Sequence, residues 1–166
     1  MLFFAKNLIE MHFKLLVIGK TADSNMETLI NDYTKRLGHY CNFSMHVGEP
    51  KVKKKNLDHE DLKQEEGKLI LTNINRASYL ILLDEKGLEF NSNGFSKYLQ
   101  KRLNTGQKEI VFCIGGAFGF SNEVYERANA KIALSQMTLT HQMVRLLFVE
   151  QLYRGFTILK GEKYHH

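Results

Sequence analysis

Apolar and polar residues recur along this chain in two different periods. Phe13-Lys14-Leu15-Leu16-Val17-Ile18-Gly19 is a short apolar run, β-branched toward its end and closed by glycine, which predicts a buried first strand. Helical spacing takes over across 23–38, where Leu29, Ile30, Tyr33 and Leu37 share a stripe. Asp23 or Ser24 can cap that helix, Glu27 stands in capping-box register with Ser24, and Gly38 suits its end. Phe43, Met45 and Val47 alternate with polar residues and predict a second strand over 42–48. Pro50 marks the following loop, and an acidic helix over about 57–75 turns Leu62, Leu69, Ile70 and Ile74 inward.

Tyr79-Leu80-Ile81-Leu82-Leu83 is continuously apolar, as in a central parallel strand covered on both faces, and Glu85-Lys86-Gly87 then turns away. A helix around 94–103 leads to a strand over 109–114, which runs into Gly115-Gly116-Ala117-Phe118-Gly119. A helix opens near Ser121, where Ser-Asn-Glu offers capping chemistry, and a short strand over 131–135 follows. The final helix, about 141–156, is apolar on most sides, through Met143, Val144, Leu147, Phe148, Val149, Leu152 and Phe156. Such a helix is buried by its own domain, by a partner subunit, or by both. Strands alternating with helices predict an α/β fold with a mostly parallel sheet. Without a repeat or linker, residues 11–166 read as one domain. Residues 1–10, MLFFAKNLIE, have no basic n-region or small-residue cleavage site and read as an N-terminal extension.

Composition narrows the function. At 166 residues, 43% of them hydrophobic, the chain can bury a sizeable core, which excludes a disordered class. No apolar run is long enough to span a bilayer, so a cytoplasmic protein without a membrane partner is expected. Cys41 and Cys113 form no Cys-x-x-Cys pair and sit in apolar runs, which reads as buried free thiols in a reducing compartment. No His/Cys spacing fits a metal, so none is expected. The net charge of +5 is a modest sign of an anionic partner such as RNA. Lys51, Lys53, Lys54 and Lys55 read first as a solvated face and second as a phosphate-contacting arm.

Ligands of open α/β sheets bind outside the carboxyl ends of strands. Three segments qualify: Leu83-Asp84, Gly115-Gly116-x-x-Gly119, and Ser135-Gln136-Met137-Thr138-Leu139-Thr140 before the last helix. Glycines after a strand let a ligand approach the backbone, although GGAFG is neither GxGxxG nor a P-loop and equally describes a tight turn. The 135–140 segment is either a connecting loop or a backbone edge for an adenine, with Met137 and Leu139 against the ring. Glu150 and Arg154 stand four apart on the last helix, as an ordinary ion pair or as charge held near a reacting base. Tyr164 and His165 lie at the terminus, where fraying is the ordinary expectation.

These residues also resemble a known family. LLDEKG (82–87), FCIGGAFG (112–119), LSQMTLTHQMVRLLFVEQLYRGFTILKGE (134–162) and YH (164–165) are similar to the RlmH (YbeA) family of SPOUT-class RNA methyltransferases. KLLVIGK (14–20) and YTKRLGHY (33–40) agree with it. The resemblance implies an α/β knot with a C-terminal trefoil, a homodimer with cofactor sites at the interface, and N3-methylation of a pseudouridine in 23S ribosomal RNA on the assembled ribosome. It implies S-adenosylmethionine contacts at Leu83, Gly116 and Ser135, Gln136, Met137, Thr138, Leu139 and Thr140. The family commonly has proline where this chain has Thr140, and it usually ends Tyr-His plus a basic residue where this chain ends Tyr164-His165-His166. By chemistry, His165 suits a general base or base-orienting group, Tyr164 a stacking or hydrogen-bonding partner, and Arg154 a stabiliser of negative imide oxygens. The alternatives are a related enzyme acting on transfer RNA, a non-catalytic ribosome- or RNA-binding protein, and a general nucleotide-binding domain. The last lacks an early phosphate-binding glycine motif.

Overall fold

A computed structural model describes residues 11–50 and 58–165, for His165 the backbone alone. The expectations for residues 1–10, for the lysines at 51–55 and for His166 lie outside that range. Five strands form one sheet: β1 His12–Ile18, β2 Asn42–Gly48, β3 Tyr79–Glu89, β4 Glu109–Ile114 and β5 Ala130–Ala133. All pairings are parallel, in the order β2-β1-β4-β3-β5. Five helices connect or follow them: α1 Ser24–Leu37, α2 His59–Thr72, α3 Ser92–Leu103, α4 Asn122–Arg127 and α5 His141–Leu159, with a 3-10 turn at Lys163–His165.

Strand side chains point alternately to the two faces, and the core divides accordingly. Phe13, Leu15 and Val17 of β1 join Ile30, Leu99, Phe112, Phe148 and Phe156, so α1, α3 and α5 cover one face. Leu16 and Ile18 join Ile70, Leu82, Cys113 and Val124, so α2 and α4 cover the other. Burying each large apolar side chain is worth about 1.5–3 kcal/mol, and the rings add directional packing. Phe112 meets Phe148 at 4.6 Å, and Phe13 meets Phe156 edge-on at 5.3 Å. Both cysteines are buried free thiols, as expected, and burial pushes the Cys41 thiol up to about 12.

The departures from the expected elements have local causes. Asp23, not Ser24, caps α1, its carboxylate accepting from the amides of Asn25 and Met26. Gly38 keeps a right-handed conformation, so its freedom is unused. Leu29 is 48% exposed, because the inward stripe of α1 runs through Ile30 and Leu37. Strand β3 does not end at Glu85-Lys86-Gly87 but bulges there, and Leu83 and Leu88 both register with Ile132 of β5. Helix α5 runs on to Leu159 and ends in a Schellman motif. Gly161 takes φ +70 and its amide donates to Ile158, while the Glu162 amide reaches back to Thr157. That left-handed residue turns the 3-10 segment back onto α5.

Gly87 lies against β5 with no room for a side chain: a Cβ there would sit 2.5 Å from both the Ile132 nitrogen and carbonyl carbon. Gly87→Ala is expected to destabilise the fold by about 1–3 kcal/mol, because rigid backbone stands in the way. Urea unfolding checks this as a lowered midpoint at unchanged slope.

Candidate functional site

The carboxyl ends of β3, β4 and β5 and the start of α1 open onto one cleft of about 960 Å³. The three segments singled out in the sequence converge there. Leu83 and Asp84 leave β3, Gly115 to Phe120 leave β4, and Leu134, Ser135, Met137, Thr138, Leu139 and Thr140 follow β5. Of the eight residues expected to bind a cofactor, only Gln136 is not on the wall, and its side-chain amide donates instead to Glu89 at 3.1 Å.

The glycine segment forms the cleft's floor as a closed turn. The Gly119 amide donates to the Gly116 carbonyl at 3.2 Å, and Gly119 holds φ +80. Behind the turn, a Cβ on Gly116 would run into both carboxylate oxygens of Glu66, so a side chain there would displace that carboxylate. The 135–140 wall is stiffened from within: the Ser135 hydroxyl accepts from the Met137 amide at 2.9 Å. Thr140 stands at φ −63, the value a proline ring would impose, and its hydroxyl caps α5 by accepting from the Met143 amide. Met137 is 77% exposed at the rim.

The groups named for the chemistry lie elsewhere. Glu150 Oε1 accepts from Arg154 Nε at 3.0 Å and from the Tyr164 hydroxyl at 3.3 Å, and it also holds an Arg154 terminal nitrogen. The Arg154 guanidinium lies 4.7 Å from the Tyr164 ring centre. Tyr33 and Tyr153 complete the nest, with the Tyr33 hydroxyl 3.1 Å from that of Tyr164 and the Tyr153 ring edge-on to Tyr164 at 4.8 Å. The Glu150 bond holds the Arg154 pKa above its ordinary value, and burial followed by the Tyr33 bond pushes the Tyr164 phenol up. The structure thus brings Arg154 and Tyr164 together, and the 3-10 turn carries His165 beside them in sequence. Neither Arg154 nor Tyr164 lines the cleft. Val144 at the cleft and Arg154 are ten residues apart on one helix, about 15 Å at 1.5 Å per residue.

Comparison with known proteins settles the family. The model described as "Predicted SPOUT methyltransferase" matches residues 11–165. The chain belongs to the SPOUT methyltransferases. It is 53% identical over 156 residues to "Ribosomal RNA large subunit methyltransferase H" of Christiangramia forsetii, covering 94% of this chain and 99% of that one. The protein of the same description from Flavobacterium psychrophilum is 54% identical over 156 residues, with the same coverage. That from Parabacteroides distasonis is 50% identical over 157 residues, again covering 94% and 99%.

Sequence reasoning missed residues that line this SPOUT cleft, Gln142 and Tyr125, and one that braces it from within the core, Arg145. Arg145 is fully buried, donating to the Ile18 carbonyl at 2.8 Å and to the Thr21 hydroxyl at 2.9 Å. Burial lowers its pKa. With Gln142, whose side-chain oxygen accepts from the Ala22 and Asp23 amides, it pins the exit of β1 to α5. The available signal was a charge set among Val144, Leu146 and Leu147. Tyr125 also lines the cleft and donates to Asp84 at 2.5 Å; burial, then that bond, pushes its phenol up to about 12. Among the described residues no group of three His, Cys, Asp or Glu could hold a metal ion, and no helix is long and apolar enough to cross a membrane.

Glu150 is the shared acceptor of the tail nest, so Glu150→Ala is expected to free it. Amides 160–165 should then exchange with deuterium faster while those of β4 stay protected. Unchanged exchange in the tail would show that the ring contacts alone suffice.

Proposed function

We propose that this SPOUT methyltransferase transfers a methyl group from S-adenosylmethionine to large-subunit ribosomal RNA, at N3 of a pseudouridine in 23S RNA within the assembled ribosome. One observation carries the cofactor half of this reading: three separate strand exits converge on one cleft with a glycine floor and a partly apolar wall. Its volume of about 960 Å³ falls within the range of small-molecule sites. The RNA half rests on the relatives described as ribosomal RNA large subunit methyltransferases and on the net charge of +5. A cytoplasmic location follows from a ribosomal substrate.

In this reading Leu83, Gly116, Ser135, Met137, Thr138, Leu139 and Thr140 hold the cofactor, largely through backbone groups, and Gln136 braces the wall from outside. Bound S-adenosylmethionine supplies an electrophilic methyl group on a sulfonium, and the protein contributes position and electrostatics. The nucleophile is an imide nitrogen that must lose its proton, and His165 serves as the base or orients it. Tyr164 stays a neutral phenol, suited to stacking on or donating to the target base. Arg154 stays a cation beside it, placed to stabilise negative imide oxygens.

The separation between cleft and tail nest supports a homodimer in which one subunit's tail serves its partner's cleft. Apolar Phe118 and Met137 on the cleft wall, and Met143 between the wall residues Gln142 and Val144, are exposed in the single chain and suit burial against a second copy. In the same reading the C-terminal part of the chain is threaded into a trefoil knot.

Calorimetry should detect S-adenosylmethionine binding, and mass analysis should find methylpseudouridine after incubation with ribosomes but not with transfer RNA. Methylation of transfer RNA alone would redirect the substrate, and no cofactor binding would leave a non-catalytic RNA binder. Truncation after Lys163 should leave cofactor affinity within about twofold and lower transfer by about 100-fold or more, a typical general acid–base effect. Mixing truncated subunits with Gly116→Ala subunits should restore about a quarter of wild-type activity, since half of the dimers then hold one intact composite site. Two inactive parents that stay inactive when mixed would place the tail's action within its own chain.

A further inference from the structure

The sequence segment YTKRLGHY (33–40) lies outside both the cleft and α5. It spans the end of α1 and the bend leading to β2, where the Tyr40 and Cys41 amides donate to the Leu37 carbonyl. Its two tyrosines, Tyr33 and Tyr40, both reach the C-terminal segment. The Tyr33 hydroxyl lies 3.1 Å from that of Tyr164, and the Tyr40 hydroxyl donates to Glu162 at 2.5 Å. The Tyr153 ring of α5 meets both, 5.9 Å from the Tyr33 ring and edge-on to the Tyr40 ring at 5.4 Å.

Packing alone would not select tyrosine at these positions. A phenylalanine ring could make the same contacts with Tyr153, so the hydroxyls add two directed bonds. Donor counting sets their direction. Glu150, ion-paired with Arg154, only accepts, so Tyr164 gives its single proton to Glu150 and the bond between the two phenols takes its proton from Tyr33. Tyr40 donates to a carboxylate, and bonds to a charged acceptor are among the stronger ones. Burial, followed by the Glu162 bond, pushes the Tyr40 phenol up, so it stays a donor.

The tail needs such anchors. Lys163–His165 is a single 3-10 turn of three residues at a chain end, where order has to come from tertiary contacts. Helix α5 holds this turn through Tyr164, by Glu150, Arg154 and Tyr153. The α1 segment takes Glu162 and Tyr164, the residues on either side of Lys163. Two fixed points set the path of the backbone into His165, which one point leaves free to pivot.

We propose that Tyr33 and Tyr40 are positioning residues for methyl transfer: from the end of α1 their hydroxyls fix Tyr164 and Glu162, and so aim the C-terminal tail at the site it serves. This rests on the reading in which one subunit's tail completes its partner's cleft. Neither tyrosine lines the cleft, so their effect on transfer passes through the tail.

The test uses the full chain with Tyr33→Phe, Tyr40→Phe and both together, changes that keep the rings and remove only the hydroxyls. On ribosomes each single variant should lower kcat about fivefold and the pair about tenfold or more, the sizes expected from losing one and two such bonds. Calorimetric affinity for S-adenosylmethionine, and its KM, should stay within about twofold of wild type, which a general loss of structure would not allow. Amides 162–165 should exchange with deuterium faster while those of β4 keep their protection. In a Tyr164→Phe background, where Tyr33 has no hydroxyl left to bond, adding Tyr33→Phe should cost no further activity. A pair variant with wild-type kcat overturns the inference, and so does a Tyr33→Phe loss of equal size with and without the Tyr164 hydroxyl. Wild-type amides 162–165 that exchange as fast as those of a free peptide overturn it too, whether or not any variant folds. Full activity after truncation at Lys163 would remove the tail from the mechanism and this proposal with it. An essential tail beside a fully active pair variant would sink the proposal alone.

Discussion

Strands β4, β3 and β5 lie side by side and parallel, so the chain leaves the sheet three times at the same end, at exits about 5 Å from one strand to the next. Everything at the site depends on that constraint. Parallel neighbours share a direction, and each exit must turn over the same edge before its helix can pack back on a face. Those turns make the cleft: a short polar exit from β3, a glycine turn from β4, and a loop after β5 stiffened by Ser135 and Thr140. Branching core residues on both faces fix the strands beneath. The backbone groups at their ends are therefore held more rigidly than loop residues usually are.

Helix α5 ties this cleft to the second centre. Its first turns carry Gln142 and Arg145, which clamp the exit of β1, and its last turns carry Glu150 and Arg154, which hold Tyr164. A buried guanidinium that forms no ion pair among the described residues is tolerable because a carbonyl and a hydroxyl accept from its two terminal nitrogens and because arginine keeps its proton even when buried. The glycine at 161 then folds the tail back, so a segment without any periodicity is ordered by a Schellman turn and by three tyrosine rings.

Much of this was legible in the chain. The strands over 12–18, 42–48 and 109–114 and the helices over 24–37 and 92–103 follow from period, caps and breakers within a residue or two. The misreadings share one cause. Leu29 fits the helical stripe of α1 yet faces solvent, since the stripe's centre is set by what packs on it. Glu85-Lys86-Gly87 has turn composition, but β5 pairs on both sides of it and draws it into a bulge. Glu66 had no place in the sequence reading of its acidic helix, because its burial comes from the β4 turn placed against it.

By itself the sequence determined the fold class, the strand exits that could bind a ligand, and a family resemblance that the comparisons bear out. These depend on neighbours a few residues apart, whose spacing along the chain already states which face each occupies. Only the tertiary structure decided that the exits share one cleft, that Glu66 stands behind Gly116, and that the Arg154–Tyr164 nest lies a helix away from both. Those relations join residues far apart in sequence, and they are set by strand order and helix length, which no local period encodes.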